Sequence, residues 1–125
     1  MSKIDNIFSG DKKVLMPFLV AGYPTIESTE AAIIAMDEAG ADIIEIGFPF
    51  SDPIADGPVI AAAMHDALKN GISPDHAIAV VSRLREQVSA GLIAMVSDSI
   101  VSRSGGSAFI DRLADAGFDG IIIPD

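Results

Sequence analysis

Two carboxylates stand out by type and position. Glu45 interrupts the aliphatic run Ile43-Ile44-Glu45-Ile46, and Asp56 lies eleven residues further on. Between them runs Phe48-Pro-Phe-Ser-Asp-Pro-Ile-Ala-Asp-Gly-Pro58, too rich in proline for regular structure and expected to be a long, shaped loop. A carboxyl buried among aliphatic side chains resists ionisation, because desolvation disfavours the charged form. With its pKa raised toward neutrality it can give up a proton and take one back. The bland alternative is a Glu45 neutralised by a basic partner, but Lys12 and Lys13 precede the first strand and are expected at the opposite end. Asp52-Pro53 and Asp56-Gly57 read equally well as turn chemistry, or as acids that share a ligand with Glu45.

These side chains need elements to hold them. Residues 14–20 form an apolar run ended by Ala21-Gly22-Tyr23-Pro24, and Ala32, Ile33, Met36 and Ala39 recur at helical spacing before Gly40. Residues 42–47 form a second strand. Two helices follow without a strand between them: residues 59–70, stopped by Gly71, and a helix capped by Ser73, with Pro74 at its first position, reaching residue 88. Residues 92–96 read as a third strand, 107–116 as a helix closed by Gly117, and 120–123 as a fourth strand.

Strands apolar on both faces, alternating with amphipathic helices, describe an α/β fold with a parallel sheet. The chain also repeats itself: Ala39-Gly-Ala-Asp-Ile-Ile-Glu-Ile46 matches Ala116-Gly-Phe-Asp-Gly-Ile-Ile-Ile123. Repeated βα units favour a barrel, and the repeat places Ile122 in the slot that Glu45 occupies. Alternation sets Ile43, Glu45 and Gly47 on one face and Ile44 and Ile46 on the other. Near the C-terminal end of its strand, Glu45 would face the mouth of a barrel, where such enzymes carry their chemistry.

Composition closes off several classes. The 18 acidic and 8 basic residues give a formal charge of −10, which repels a polyphosphate backbone, so no nucleic-acid partner is expected. No cysteine is present, which removes disulfides and thiolate metal sites. His65 and His76 lack spaced acidic or histidine partners, so no metal site is expected. No run suits a signal peptide or a membrane span, and a cytoplasmic location is expected.

The stretch Met16-Pro-Phe-Leu-Val-Ala-Gly-Tyr-Pro24, followed by residues 39–58 as quoted, resembles the signature region of tryptophan synthase alpha subunits. The likeness continues through Ala116-Gly-Phe-Asp-Gly to the closing Pro124-Asp125. It implies a (β/α)8 TIM barrel of which residues 1–125 form the N-terminal half of a single domain. It further implies a lyase that cleaves indole-3-glycerol phosphate to indole and glyceraldehyde 3-phosphate in tryptophan biosynthesis. On that pattern Glu45 is the general acid/base and Asp56 receives the indole N–H, while Phe18 and Ile60 pack on the indole ring. Pro49, Asp52 and Asp125 would lie where the family meets its beta subunit in an α2β2 tetramer. No cofactor is implied for this chain; pyridoxal phosphate belongs to the beta subunit.

The likeness breaks after the third strand. The family's Met-Tyr-x-Asn pattern is replaced by Ala94-Met-Val-Ser-Asp-Ser-Ile-Val101, with Ser97 and Ser99 in the Tyr and Asn positions, altering the wall of the indole pocket. Asp98 reads as a solvated loop acid. Ser102-Arg-Ser-Gly-Gly-Ser107 invites a phosphate reading, yet glycine loops before helices are routine, and such barrels bind phosphate after strands seven and eight. An alternative to catalysis is a half barrel that self-associates or docks on a beta subunit, since four strands alone leave two edges unpaired.

Overall fold

The computed structural model describes residues 2–125. Its elements run α1 (Lys3–Phe8), β1 (Phe18–Val20), α2 (Ile26–Glu38), β2 (Ile43–Gly47), α3 (Pro58–Lys69), α4 (Pro74–Leu84), β3 (Gly91–Met95), α5 (Asp98–Arg103), α6 (Ser107–Ala116) and β4 (Gly120–Ile122). The strands form one parallel sheet in the order β1-β2-β3-β4, with Phe18 opposite Glu45, Glu45 opposite Ile93 and Ile93 opposite Gly120.

The two sheet faces are treated differently. Ile44, Ile46, Leu92 and Ala94 bury against Ile33 of α2, Val80 and Val81 of α4, and Phe109 and Leu113 of α6. Full burial of each large aliphatic or aromatic side chain is worth about 1.5–3 kcal/mol, so this layer holds the fold. The opposite face carries Phe18, Ile43, Glu45, Gly47, Ile93 and Met95, and helices lie over its two ends. Ile4 and Ile7 of α1 sit over Gly91 at the N-terminal end. At the other end Ala63, Met64 and Ala67 of α3 pack on Val20. The helices α2, α4 and α6 all lie on one face of the parallel sheet, which is a barrel's arrangement; an open doubly wound sheet has its connecting helices on both. The structure is therefore the first four strands of a TIM-type half barrel.

The boundaries differ from the sequence expectation for identifiable reasons. The first strand begins at Phe18 instead of residue 14 because Pro17 has no N–H for the ladder, although its carbonyl accepts Glu45 N–H at 2.9 Å. Leu15 still lies alongside, accepting from Asp42 and Ile43. The helix begun at Pro74 stops at Leu84 and tightens into a 3-10 turn over Arg85–Gln87. Two short helices, α1 and α5, had no counterpart in the reading of the sequence.

The helix-to-strand repeat has a bonding counterpart. Asp42 at the start of β2 accepts Leu15 N–H at 2.9 Å and pairs with Lys12 Nζ at 2.7 Å. Asp119 at the start of β4 accepts Leu92 N–H at 2.9 Å and pairs with Arg85 Nη1 at 2.9 Å. Each carboxylate lies 27 residues beyond the amide it holds. Arg85 also donates to the carbonyls of Gly117, Val88 and Ala90 at 3.0, 2.7 and 2.8 Å, tying both chain segments that enter β3 and β4.

Candidate active site

Glu45 sits two residues from the end of β2, half-buried between Phe18 and Ile93 on the neighbouring strands. Among the described residues no hydrogen bond or ion pair reaches its carboxylate; Lys12 is engaged with Asp42 instead. Burial raises its carboxyl above the ordinary carboxylate range, and the charge of Asp56 raises it further. The loop thus brings Asp56 near enough for its charge to act on Glu45.

The loop turns through its backbone. Ile54 N–H donates to Asp52 C=O at 2.9 Å and Asp56 N–H to Pro53 C=O at 3.3 Å. Among the described residues neither aspartate carboxylate accepts a hydrogen bond, so both face solvent or a ligand. Asp52 is exposed and Asp56 half-buried.

Phe48, Met64 and Met95 wall a small open cleft, shared by Asp52, Asp56 and Asp125, whose enclosed part of about 20 Å³ admits one water-sized group. Phe48 is fixed by edge-to-face packing on Phe109, with ring centroids 6.2 Å apart at 87°. Glu45, Phe18 and Ile60 do not line this cleft. Phe18 and Ile60 instead meet in the apolar cluster around Val20 and Met64, together with Met95. The two methionines belong to both groups, so cluster and cleft are contiguous.

The remaining candidates separate. Pro49 is buried and lines a neighbouring recess with Leu68 and Arg103. Asp125 is exposed, and its Oδ1 accepts Asp98 N–H at 2.9 Å, so it holds the first turn of α5. Ser97 is buried at the cleft while Ser99 is exposed on α5, so only the first lines it. Gly105 and Gly106 take positive φ between α5 and α6, which accounts for the glycine pair as a turn. His76 accepts Ser73 N–H at 3.0 Å in a helix cap, and His65 is exposed. Among the described residues no three His, Asp or Glu side chains are placed to hold a metal, and no helix is long and apolar enough to cross a membrane.

Met64 and Met95 escaped the sequence reading, although periodicity points to both. Met95 follows Ile93 at the strand period of two, and Met64 follows Ile60 by one helical turn.

Comparison with known proteins bears on the whole arrangement. The family model described as tryptophan synthase alpha chain matches residues 4–125. The alpha chain of Synechococcus elongatus is 43% identical over 111 residues, covering 89% of this chain and 42% of that protein. That of Alkaliphilus metalliredigens is 40% identical over 124 residues, covering 99% and 47%. This chain thus spans somewhat less than half the length of these curated relatives. The crystal structure of tryptophan synthase subunit alpha from Legionella pneumophila superposes with a TM-score of 0.94 at 35% identity, over all of this chain and 50% of that one. Tryptophan synthase from M. tuberculosis, in its aminoacrylate-bound form, superposes at 0.93 with 36% identity, over all of this chain and 52% of that one. Sequence and backbone agree from end to end, and the chain belongs to the tryptophan synthase alpha chain family.

Proposed function

We propose that residues 1–125 are the N-terminal half of a TIM-barrel domain whose complete form cleaves indole-3-glycerol phosphate by a retro-aldol reaction. The observation that carries this is Glu45: a carboxyl without a partner among the described residues, held near the end of an aliphatic strand, where burial and then Asp56 strengthen its hold on a proton. Glu45 protonates the indole carbon that bears the glycerol chain and takes the proton of the neighbouring hydroxyl. The carbon–carbon bond then breaks, leaving indole and an aldehyde, glyceraldehyde 3-phosphate. Asp56 accepts the indole N–H and offsets the positive charge that develops on the ring after protonation. Phe18 and Ile60 pack on the ring. The phosphate would be held after strands seven and eight of the barrel, outside residues 1–125.

The chain's own chemistry calls for no cofactor in this reading. Pyridoxal phosphate serves the beta subunit, which would condense the released indole with serine. The related structures include a tryptophan synthase complex from Pyrococcus furiosus, which supports an assembly with a partner chain. In this reading the partner is a beta subunit in an α2β2 tetramer, met through Asp52, Asp125 and the loop around Pro49. A cytoplasmic location is part of the same reading.

The test is indole release from indole-3-glycerol phosphate by the intact protein. Glu45→Gln is expected to lose about 10²–10⁴-fold in turnover, the usual contribution of a positioned acid–base group. Near-normal turnover ends the assignment. An Asp56→Asn variant that is harmless while Glu45 stays essential would point to a different phosphate-binding barrel enzyme.

The two open edges, β1 and β4, favour a second reading for the 125-residue chain by itself: a non-catalytic half barrel that self-associates. Size-exclusion at increasing concentration should then show dimers or larger species, and a monomer at all concentrations rejects it.

A further inference from the structure

Ser97 occupies the N-cap position of α5 with extended backbone, φ −69° and ψ 147°. A serine there ordinarily accepts a first-turn N–H through its hydroxyl. Ser97 makes no such bond. The work is done by other groups: Asp98 N–H goes to Asp125 Oδ1 at 2.9 Å, and Ile100 and Val101 N–H go to the Ser97 carbonyl at 3.1 and 3.2 Å. The residue is only 7% exposed, and among the described residues its Oγ is the one buried side-chain polar atom with no hydrogen-bond partner. It lines the same cleft as Asp56, Met64 and Met95. A buried hydroxyl without a partner is costly to the fold, so its presence asks what it meets.

We propose that Ser97 is a specificity-determining residue, whose hydroxyl hydrogen-bonds a hydroxyl or amino substituent on the six-membered ring of a bound indole. This rests on the lyase reading, with the indole N–H at Asp56. Apart from three carboxylates, Ser97 offers the one hydrogen-bonding side chain in the cleft lining; the rest is apolar or proline. One of those carboxylates, Asp125, is already engaged by α5. Beside a plain ring the Oγ, already buried, stays unpaired. A substituted ring supplies the missing bond. A site built to make a hydrogen bond discriminates against the ligand that lacks it.

The experiment uses the intact protein and indole-3-propanol phosphate, which lacks the hydroxyl needed for cleavage, beside its counterparts hydroxylated at each carbon of the six-membered ring. Isothermal titration should show at least one hydroxylated form binding about 2- to 10-fold tighter than the parent, the range of one net hydrogen bond. Ser97→Ala should bring the two affinities together, and Ser97→Thr should restore the gap; circular dichroism and thermal unfolding establish that both variants fold. Parent binding with no preference for any hydroxylated form, or a preference that survives Ser97→Ala, overturns the role of Ser97 alone. Failure of the unaltered protein to bind any of these compounds overturns the lyase reading and this proposal together.

Discussion

Gly47 closes β2 on the face that carries Glu45, and replacing it with alanine tests whether that face is built around Phe18. A Cβ at this position would lie 2.5 Å from Phe18 Cζ, 2.9 Å from Cε2 and 3.4 Å from the Leu19 carbonyl oxygen. Ordinary carbon–carbon separations are about 3.5–4.0 Å, so the ring must retreat by about 1 Å. It has little freedom to do so, because it packs on the cluster of Val20 and Met64. Overpacking of this kind costs about 1–3 kcal/mol. With urea m-values of about 1–3 kcal/mol per molar, the unfolding midpoint should fall by about 1 M. If Phe18 packs on the indole, a misplacement of about 1 Å should also lower kcat/KM by up to 10²-fold. The decisive measurement is the double variant Gly47→Ala/Phe18→Leu, in which the shorter side chain vacates the Cζ position. It should cost less stability than the two single changes added together, by about 1 kcal/mol. Strict additivity, or an unchanged midpoint for Gly47→Ala, refutes the argument.

Other perturbations have equally definite outcomes. Burial, then Asp56, raises the carboxyl of Glu45, so the folded state holds that proton more tightly than the unfolded chain does. Its contribution to stability is full below the unfolded value of 4.5 and is lost as pH rises through the higher folded value. Glu45→Gln should therefore be more stable than the parent at neutral pH and gain nothing below pH 4.5, by thermal unfolding across pH; a variant destabilised at pH 7 contradicts this. Asp42 behaves oppositely, since the Leu15 amide and then Lys12 lower its carboxyl. The stability it lends is present above 3.8 and disappears as pH falls through the folded value, so Asp42→Asn should flatten the acid limb of the stability curve. An acid limb as steep as the parent's would mean that the bond to Leu15 carries no stability. Arg85→Met leaves Asp119 without its cation and three carbonyls without a donor, and should cost about 3–5 kcal/mol in urea unfolding. A loss below about 1 kcal/mol would show the pair to be a solvent-screened surface contact.

The parallel sheet and its main helices are legible in the sequence because apolar period and glycine punctuation agree there. Glu45 is legible for a sharper reason: its own repeat puts Ile122 in the same slot, so the residue types alone mark a carboxylate as out of place. The short helices are harder. The α1 signal exists in the Ser2–Asp5 capping box and in Ile4 and Ile7, which face Gly91, but six residues give too little periodicity to recognise. Ser97-Asp98-Ser99 reads as loop, and α5 forms there because Asp125, distant in sequence, accepts the Asp98 amide. The Ile100 amide bonds the Ser97 carbonyl at 3.1 Å and the Ser97 hydroxyl is left without a partner, which no local pattern encodes. Asp56 falls between these cases: its residue type and loop are readable, but its return to Glu45 depends on how residues 48–58 fold.

The bonds of Asp42 and Asp119 make the chain a tandem of two matching brackets. In each, the carboxylate opening the second strand grips the amide of the first across the same 27 residues. Where the brackets meet, β2 pairs with β3 in parallel. The free edge of β4 stands to its bracket as β2 stands to the first, and the free edge of β1 stands as β3 does to the second. Growth of the sheet by another bracket therefore needs only the join that this chain already contains. Closure into a ring repeats a contact instead of inventing one.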